Sequence, residues 1–380
     1  MSEKTKKRKK TVSGFGNIRM RVNNTYEGSV LINGKRQYFY GKTEKSVRKQ
    51  ITAAIADNDK GKYYVNTNMT VGQWLDLWKD DYLPNIKANT RARYELDIRL
   101  HLKPGLGSIP LAGLTTQHIQ SYYKKELKTL SAKSVRNLHG VLHQALEQAA
   151  NNYLIKDNVS DKCVLPRKEQ TEMHPLTDEA LKRFLKAIQG HQYENLYIVT
   201  LFTGMREGEV LGLSWDNVDF DRGIIRIRRQ LQKERAPGSG YHFTTLKNGK
   251  ERIVQPAPYV MEVLKRVQEN QRQDQALLQD RWSNPMNLVF TTRYGKHCAF
   301  ATVYNNFKVI VASIGMPEVR FHDLRHTFAT LSLQNGTDIK TVSESMGHAT
   351  TAFTMDRYGH VSHEMMKNSA DRMQNLIDNL

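Results

Sequence analysis

Apolar positions recur along the chain at two periods, and the places where the period changes divide it into regions. Residues 17–22 alternate Ile18, Met20 and Val22 against Arg19 and Arg21, the period of a strand with one basic face. Asn23-Asn24 and Asn33-Gly34 are turn signals that set it off from strands at 26–32 and 36–40. Thr43 then caps a helix carrying Val47, Ile51, Ala54 and Ile55 on one side, which can cover the apolar face of the resulting three-stranded sheet. The opposite face keeps Arg19, Arg21, Lys35 and Tyr38.

After a polar stretch, 57–68, the period becomes helical. Thr70 and Gln73 form a capping box for a helix bearing Val71, Trp74, Leu75, Trp78 and Tyr82, closed by Pro84. A second helix, 90–102, turns Tyr94, Ile98 and Leu102 inward and leaves Arg91, Arg93 and Arg99 outside. Helices at 116–127 and from Ser131, the latter with Val135, Leu138, Leu142, Ala145 and Ala149 at helical spacing, complete a bundle. Its aromatic residues read as core. A second charged stretch, 157–171, precedes a longer region. Thr177 caps a helix there, and the apolar run 196–202 leads through Gly204 to Arg206 at the start of a further helix. Ile224 to Arg228 alternate as a strand, and 241–254 reads as a strand pair folded about Asn248-Gly249, with Lys247 at its tip. Helices follow at 258–280, 300–314, 322–335 and 339–346, the last closed by Gly347. The residues at 362–380 repeat Met366, Ala370, Met373, Ile377 and Leu380 at four-three spacing. The expected fold class is multidomain α+β: a three-stranded sheet plus helix (1–66), a helical bundle (67–168), and a mainly α domain with a small β-sheet (169–380).

Charge narrows the partner. Fifty-seven Lys and Arg stand against thirty-eight Asp and Glu, a formal charge of +19, and residues 4–10 are almost all basic. Such an excess favours a polyanion, nucleic acid before membrane. No run of about 18 apolar residues could span a bilayer, and no apolar segment follows the basic start as a secretory signal would, so a cytoplasmic location is expected. The basic sheet face, the bundle's Arg91, Arg93, Arg99, Lys133 and Arg136, and the lysine-rich tail are the candidate DNA contacts. Cys163 and Cys298 lie far apart without metal-ligand spacing, which argues against a disulfide framework or a zinc site.

Candidate chemistry is concentrated in the C-terminal half. His322 and Arg325, three apart on a helix, share a face; His348 follows a helix end, and Tyr358 comes ten residues later. With Arg206 these are the parts needed to hold a phosphodiester and attack it with a phenol. Free tyrosine, with a pKa of about 10, is a poor nucleophile near neutrality and needs a base; His322 is the expected one. His326, one residue past Arg325, is expected to face away from His322 and to play a structural part, and Glu209 to orient Arg206. No Walker A pattern and no carboxylate cluster suited to catalytic Mg²⁺ occurs, so cleavage without ATP, metal or other cofactor is expected.

The motifs T-G-M-R-E-G-E (Arg206), L-K-N-G-K-E-R (Lys247), H-D-L-R-H-T-F-A-T (His322, Arg325), M-G-H (His348) and T-M-D-R-Y-G-H-V (Tyr358) resemble the tyrosine recombinase (phage integrase) family in order, spacing and context. The likeness is to integrases of temperate phages and conjugative transposons in particular. The resemblance implies an arm-type DNA-binding domain, a core-binding bundle and a catalytic domain in the three regions above. It implies a 3′-phosphotyrosyl intermediate on Tyr358, with Arg206 and Arg325 on the non-bridging oxygens and His348 on the phosphate. Lys247 is then the acid for the leaving 5′-oxygen, with Lys250 as competitor because asparagine follows Lys247 where the family often has threonine. It further implies double-stranded DNA with core and arm-type sites, a homotetramer on a Holliday junction joined through the C-terminal helix, and an excisionase or host architectural protein as accessory. A non-catalytic DNA-binding protein and a type IB-like topoisomerase are the alternative readings.

Overall fold

The computed structural model describes residues 17–21, 24–32, 35–59, 68–168, 173–234 and 240–359, together with 370, 373–374 and 377–378. The lysine-rich tail and, those few residues apart, the helix expected at 362–380 lie outside the described residues. The chain separates into two compact units, Met1–Glu169 and Gln170–Leu380.

The first unit contains two separate apolar clusters. One lies between an antiparallel sheet, β1 (Asn17–Met20), β2 (Tyr26–Ile32) and β3 (Lys35–Gly41), and the helix α1 (Glu44–Asp59). Val47 and Ile51 of α1 meet Val30, Ile18 and Phe39, as the alternation requires. A Cβ on Gly28 would stand 2.6 Å from Val47 Cγ1, so glycine lets the helix approach the central strand. On the opposite face the register sets Arg19 and Tyr40 on either side of Glu27.

The second cluster is the core of a helical bundle. α2 (Val71–Tyr82) starts at the Thr70/Gln73 capping box, α5 (Thr116–Glu126) at Thr115, and α6 (Ala132–Asn151) at Ser131. Trp74, Trp78, Ile98, Leu102, Ile119, Leu138 and Leu142 share this core, and Trp74 Nε1 donates to Ala145 O at 2.7 Å. One boundary differs from expectation. α3 (Ala88–Asp97) does not stop at Leu102 but passes through a π-helical turn, Ile98–Leu102, into α4 (Lys103–Leu106). Pro104 has no N–H and crowds the preceding turn. The widened turn, in which Lys103 N–H bonds Ile98 O, lets the helix continue past it.

The second unit begins with α7 (Asp178–Ala187), α8 (Glu194–Thr203) and the short α9 (Glu207–Leu211). Five strands follow: β4 (Val218–Asp219), β5 (Ile224–Ile227), β6 (Arg229–Lys233), β7 (Tyr241–Thr245) and β8 (Arg252–Val254). The expected hairpin over 241–254 is not formed, because β7 pairs with β6 whereas β8 pairs with β5. Since β5 and β6 are nearly continuous, residues 246–251 are a loop inserted in the strand opposite them. That loop carries Lys247 and Lys250. The turn residue Gly249, at φ 65°, belongs to this insertion. Helices α10 (Pro258–Leu278), α11 (Phe300–Ser313), α12 (Phe321–Gln334), α13 (Ile339–Met346) and α14 (Thr351–Tyr358) complete the unit.

α12 packs on α8. An aromatic core anchors both, with Tyr197 and Phe321 ring centres 6.1 Å apart and Phe307 against each of them. This fixes which side of α12 faces inward. Among the described residues no helix is long and apolar enough to cross a membrane.

Candidate active site

The site is assembled where the end of α8, the start of α9, α12, the α13–α14 turn and β8 converge. α8 ends at Gly204 in the left-handed region, φ 63°, and a Cβ there would lie 2.4 Å from Phe328 Cδ1. The chain can therefore turn sharply only with glycine, and the turn places Arg206 at the N-cap of α9. Glu209 reaches back to the Arg206 N–H (2.9 Å), and Arg206 Nη1 donates to Glu209 Oε1 (2.8 Å).

Arg325 is buried on α12 and donates to Gly204 O (2.6 Å) and Met346 O (2.5 Å). Arg206 Nη2 donates to the next carbonyl, Gly347 O, at 2.8 Å. Gly347 caps α13 at φ 64°, which turns these late carbonyls toward the guanidinium groups. A third guanidinium comes from β8: Arg252 binds Glu209 through both oxygens (3.0 and 2.6 Å) and Ser345 O (2.8 Å). Two of the three guanidinium groups, Arg206 and Arg252, thus share one carboxylate, Glu209, which is 1% exposed, while Arg325 is held by carbonyls alone. Burial alone would raise the Glu209 pKa, but Arg252 and Arg206 outweigh it and hold the carboxyl at about 2. Burial and the nearby Arg206 lower Arg325 to about 9, against the pull of Glu209. The surplus of positive charge in a partly dry place makes this a site for an anion.

Tyr358, 9% exposed, ends α14 beside that charge. Burial raises its phenol to about 12, against the opposing effect of Arg325 and Arg357. Its hydroxyl is hydrogen-bonded to Nδ1 of His326. The His348 ring lies parallel to the phenol ring, 6.3 Å away at 2°, and its Nδ1 is 2.7 Å from Thr354 Oγ1. With that hydroxyl donating, Nε2 keeps the proton and remains a donor toward the anion site. Burial first, then Arg325 and Arg206, lowers His348 to about 3, so it is neutral at pH 7. His322 is open to solvent on one side; the protein behind it and the Arg325 charge hold its pKa below the ordinary value.

The placement of His326 overturns the expectation that it faces away from His322. Residues four apart share a helix face, and the two rings meet edge-on with centres 4.9 Å apart. The phenol's partner among the described hydrogen bonds is His326 and not His322. Two further residues escaped the sequence reading. Arg252 was one basic residue among many in a polar stretch, and no local signal marked it. Asn248, read as a turn residue and as a departure from the family's threonine but given no role in the site, donates to Gly347 O at 3.2 Å and so ties the 246–251 loop to the carbonyl that Arg206 holds. Lys247 and Lys250 are both exposed on that loop.

The candidate DNA contacts divide by what already holds them. Arg19 and Arg21 pair with Glu27 at 3.1 and 3.3 Å, and Arg21 lies over the Tyr40 ring. Tyr38 is 53% exposed and Tyr40 52%, a surface on which bases or sugars could rest. The Lys35 side chain lies outside the description. Arg91 bonds Glu95 (2.8 Å), Arg93 grips both oxygens of buried Asp97 (2.8 and 2.9 Å), and Arg136 donates to Pro166 O (2.9 Å). These three serve the bundle's own structure first. Arg99 and Lys133 are exposed. Among the described residues, one group could share a cation: His143, Glu147 and Asp161, on the bundle. His143 is already bonded to Asp161 (2.8 Å), and Glu147 to Asn158 (3.1 Å).

Comparison with known proteins gives the family and the fold. The model of the phage integrase family matches residues 175–365, and that of the phage integrase N-terminal SAM-like domain matches 70–127. A XerC-like tyrosine recombinase of Caldanaerobacter subterraneus is 27% identical over 366 residues, 91% of this chain and 93% of its own. The ICEBs1 integrase of Bacillus subtilis is 24% identical over 319 residues, 78% of this chain and 81% of its own. In fold, the chain is similar to the Tn1549 transposon integrase in complex with a circular intermediate DNA (TM-score 0.68, 23% identity, 80% of this chain and 99% of that one). It is also similar to a lambda integrase tetramer bound to a Holliday junction (TM-score 0.59, 16% identity, 91% and 97%). The family match over half the chain and the convergence of Arg206, Arg325, His348 and Tyr358 lead to one conclusion: the chain belongs to the phage integrase family and is a tyrosine-type site-specific recombinase, an enzyme that breaks and rejoins DNA strands.

Proposed function

We propose that the protein integrates and excises a mobile element, with Tyr358 attacking the scissile phosphate to form a 3′-phosphotyrosyl link and release a 5′-hydroxyl. The observation that carries this reading is the meeting of Arg206, Arg325 and the Tyr358 phenol at one turn. Both guanidinium groups reach carbonyls of the 346–347 cap, and the His348 ring that follows lies parallel to the phenol ring. Incoming phosphate oxygens would replace those neutral carbonyls as acceptors. A planar fork binds two such oxygens and stabilises the charge that grows on the pentacovalent phosphorus. His348 and His322, both neutral at pH 7, act as N–H donors to the phosphate. That moves His322 from the base expected in the sequence to a phosphate contact, since the phenol lies on His326. Lys247 or Lys250, from the 246–251 loop, protonates the 5′-oxygen.

Retaining the phosphodiester as a phosphotyrosine lets a second 5′-hydroxyl attack without an external energy source, and no metal is needed where guanidinium groups carry the charge. Two rounds of exchange through a Holliday junction require four protomers on two duplexes, which we assign to a homotetramer joined through the C-terminal segment. The exposed Arg19, Arg21 and Tyr38 face of the first sheet is proposed as the arm-site contact, and Arg99 and Lys133 as core-site contacts. An excisionase or host architectural protein is the accessory partner in this reading.

The test is a nicked suicide substrate carrying the element's ends, with wild type and Tyr358→Phe compared on a denaturing gel. A 3′-linked adduct formed by wild type, and absent in a variant that still binds DNA, is the expected result. No adduct from either protein on bound DNA would leave a binding protein without catalysis.

A further inference from the structure

We infer that His326 is a catalytic residue of this recombinase, the group whose Nδ1 takes the phenolic proton of Tyr358 as the tyrosine oxygen bonds to phosphorus. The inference rests on Tyr358 being the nucleophile, as proposed above, and adds the path of its proton.

The geometry carries it in three steps. First, Nδ1 of His326 is the hydrogen-bond partner of the phenol, and both side chains are buried, at 6% and 9% exposure. A proton shared between two dry groups has no solvent competitor, and the imidazole is the only basic atom described on the hydroxyl. Second, the far nitrogen of the same ring, Nε2, lies 3.9 Å from Asp323 Oδ1. That is too long for a hydrogen bond, but the nearby carboxylate favours the tautomer with its proton on Nε2. The Nδ1 lone pair is then free to accept. Arg320 keeps Asp323 ionised, with its guanidinium bonded to both carboxylate oxygens at 2.9 and 3.0 Å. Third, the ring is neutral at pH 7, because burial and the neighbouring His322 hold its pKa at about 4.

The groups facing this ring are His322 and Asp323 from α12 and Arg320 at its N-cap, Tyr358 and Arg357 from α14, and His348 from the turn before it. The cationic members also lower the cost of a phenolate. A proton acceptor weaker than the phenolate is adequate here because transfer and attack are concerted, and Arg325 and Arg357 stabilise the oxygen as it loses its proton.

The step balances. The Tyr358 O–H bond breaks and its proton moves to His326 Nδ1; the O–P bond forms; the bond from phosphorus to the 5′-oxygen breaks; and that oxygen takes a proton from Lys247 or Lys250. In rejoining, the 5′-hydroxyl returns its proton to that lysine as its oxygen bonds to phosphorus, the phosphotyrosine O–P bond breaks, and His326 gives its proton back to the departing phenolate oxygen. One imidazole thus serves both directions of a reversible exchange.

His326→Asn tests this. Its side-chain oxygen can still accept the phenol's hydrogen bond but cannot carry off the proton. Adduct formation would be followed in a single turnover on the suicide substrate between about pH 6 and 9, beside wild type and Tyr358→Phe, with DNA binding and thermal melting measured in parallel. The expected result is normal binding and melting, with an adduct rate lower by about 10²-fold or more near neutrality. That rate should rise about tenfold per pH unit, as solvent ionises the phenol instead, while the wild-type rate changes little. A variant as fast as wild type, or slowed with a pH profile parallel to wild type, would overturn the inference while leaving Tyr358 as nucleophile. An adduct that persists in Tyr358→Phe, or is absent in wild type, would overturn the proposed function, and the inference with it.

Discussion

Arg252 binds Glu209 through two hydrogen bonds, 3.0 and 2.6 Å, and Glu209 at the same time holds Arg206 at 2.8 Å. One buried carboxylate therefore positions two cations that start more than forty residues apart. Removing a single partner from such an arrangement leaves charge uncompensated where water is scarce, which typically costs about 3 to 5 kcal/mol. Arg252→Met is expected to lose on the order of 3 kcal/mol in urea denaturation, since Glu209 keeps Arg206, and to slow adduct formation because Glu209, which positions Arg206, loses the two bonds that fix it. An unchanged urea midpoint would show that the pair contributes nothing net.

Arg206 and Arg325 stand in a different relation to the chemistry. Lysine at either position keeps a charge but not the fork. Arg206→Lys and Arg325→Lys are each expected to lower the single-turnover cleavage rate by about 10²- to 10³-fold. Binding to the same DNA, measured by mobility shift, should change far less, because many other phosphates are still neutralised.

The acid proposed for the 246–251 loop can be tested by chemistry. A 5′-bridging sulfur leaves without needing a proton, whereas oxygen does not. Whichever of Lys247→Ala and Lys250→Ala cleaves an ordinary substrate slowly but a 5′-phosphorothiolate at nearly the wild-type rate has lost the acid. Equal rescue of both would assign the role to neither lysine alone.

Gly347 occupies the left-handed region at φ 64°, and a Cβ there would stand 2.9 Å from Arg252 Nη1. Gly347→Ala is expected to cost about 1 to 2 kcal/mol in backbone strain. It should also displace the carbonyl that Arg206 and Asn248 share, so that melting and cleavage fall together. Loss of melting temperature with unaltered cleavage would separate the cap from the site.

Acid stability follows from the buried imidazoles. His326 and His348 titrate at about 4 and 3 in the folded protein, against about 6.5 when unfolded. Between those values the unfolded chain binds more protons, so stability falls as pH drops from about 6.5 toward 4, by up to about 1.4 kcal/mol per pH unit for each fully coupled group. Glu209, held at about 2, adds a second loss below its unfolded value near 4.5. His326→Asn should flatten the first of these slopes in urea titrations at pH 6 and pH 4.5. A slope as steep as wild type would mean that His326 is not neutral when folded.

Much of this protein was legible from local pattern. The Thr70, Ser131 and Thr177 caps, the sheet-plus-helix alternation around Val47 and Ile51, and the left-handed Gly347 all depend on residues within a turn or two of one another. The order and spacing of the Arg206, His322, Arg325, His348 and Tyr358 motifs likewise pointed to the groups now proposed to react. Helix spacing alone should also have placed His326 beside His322.

Tertiary structure decided the rest. Strand pairing gave β7 to β6 and β8 to β5, which turned an expected hairpin into a loop inserted opposite a nearly continuous strand. It also carried Arg252 to Glu209 and set the Tyr358 hydroxyl on His326. Those partners are chosen by which faces are buried when α12 packs on α8 and α14 folds back. Burial is a property of the whole packed domain, so it sets partners and shifts pKa values that no short window of sequence contains.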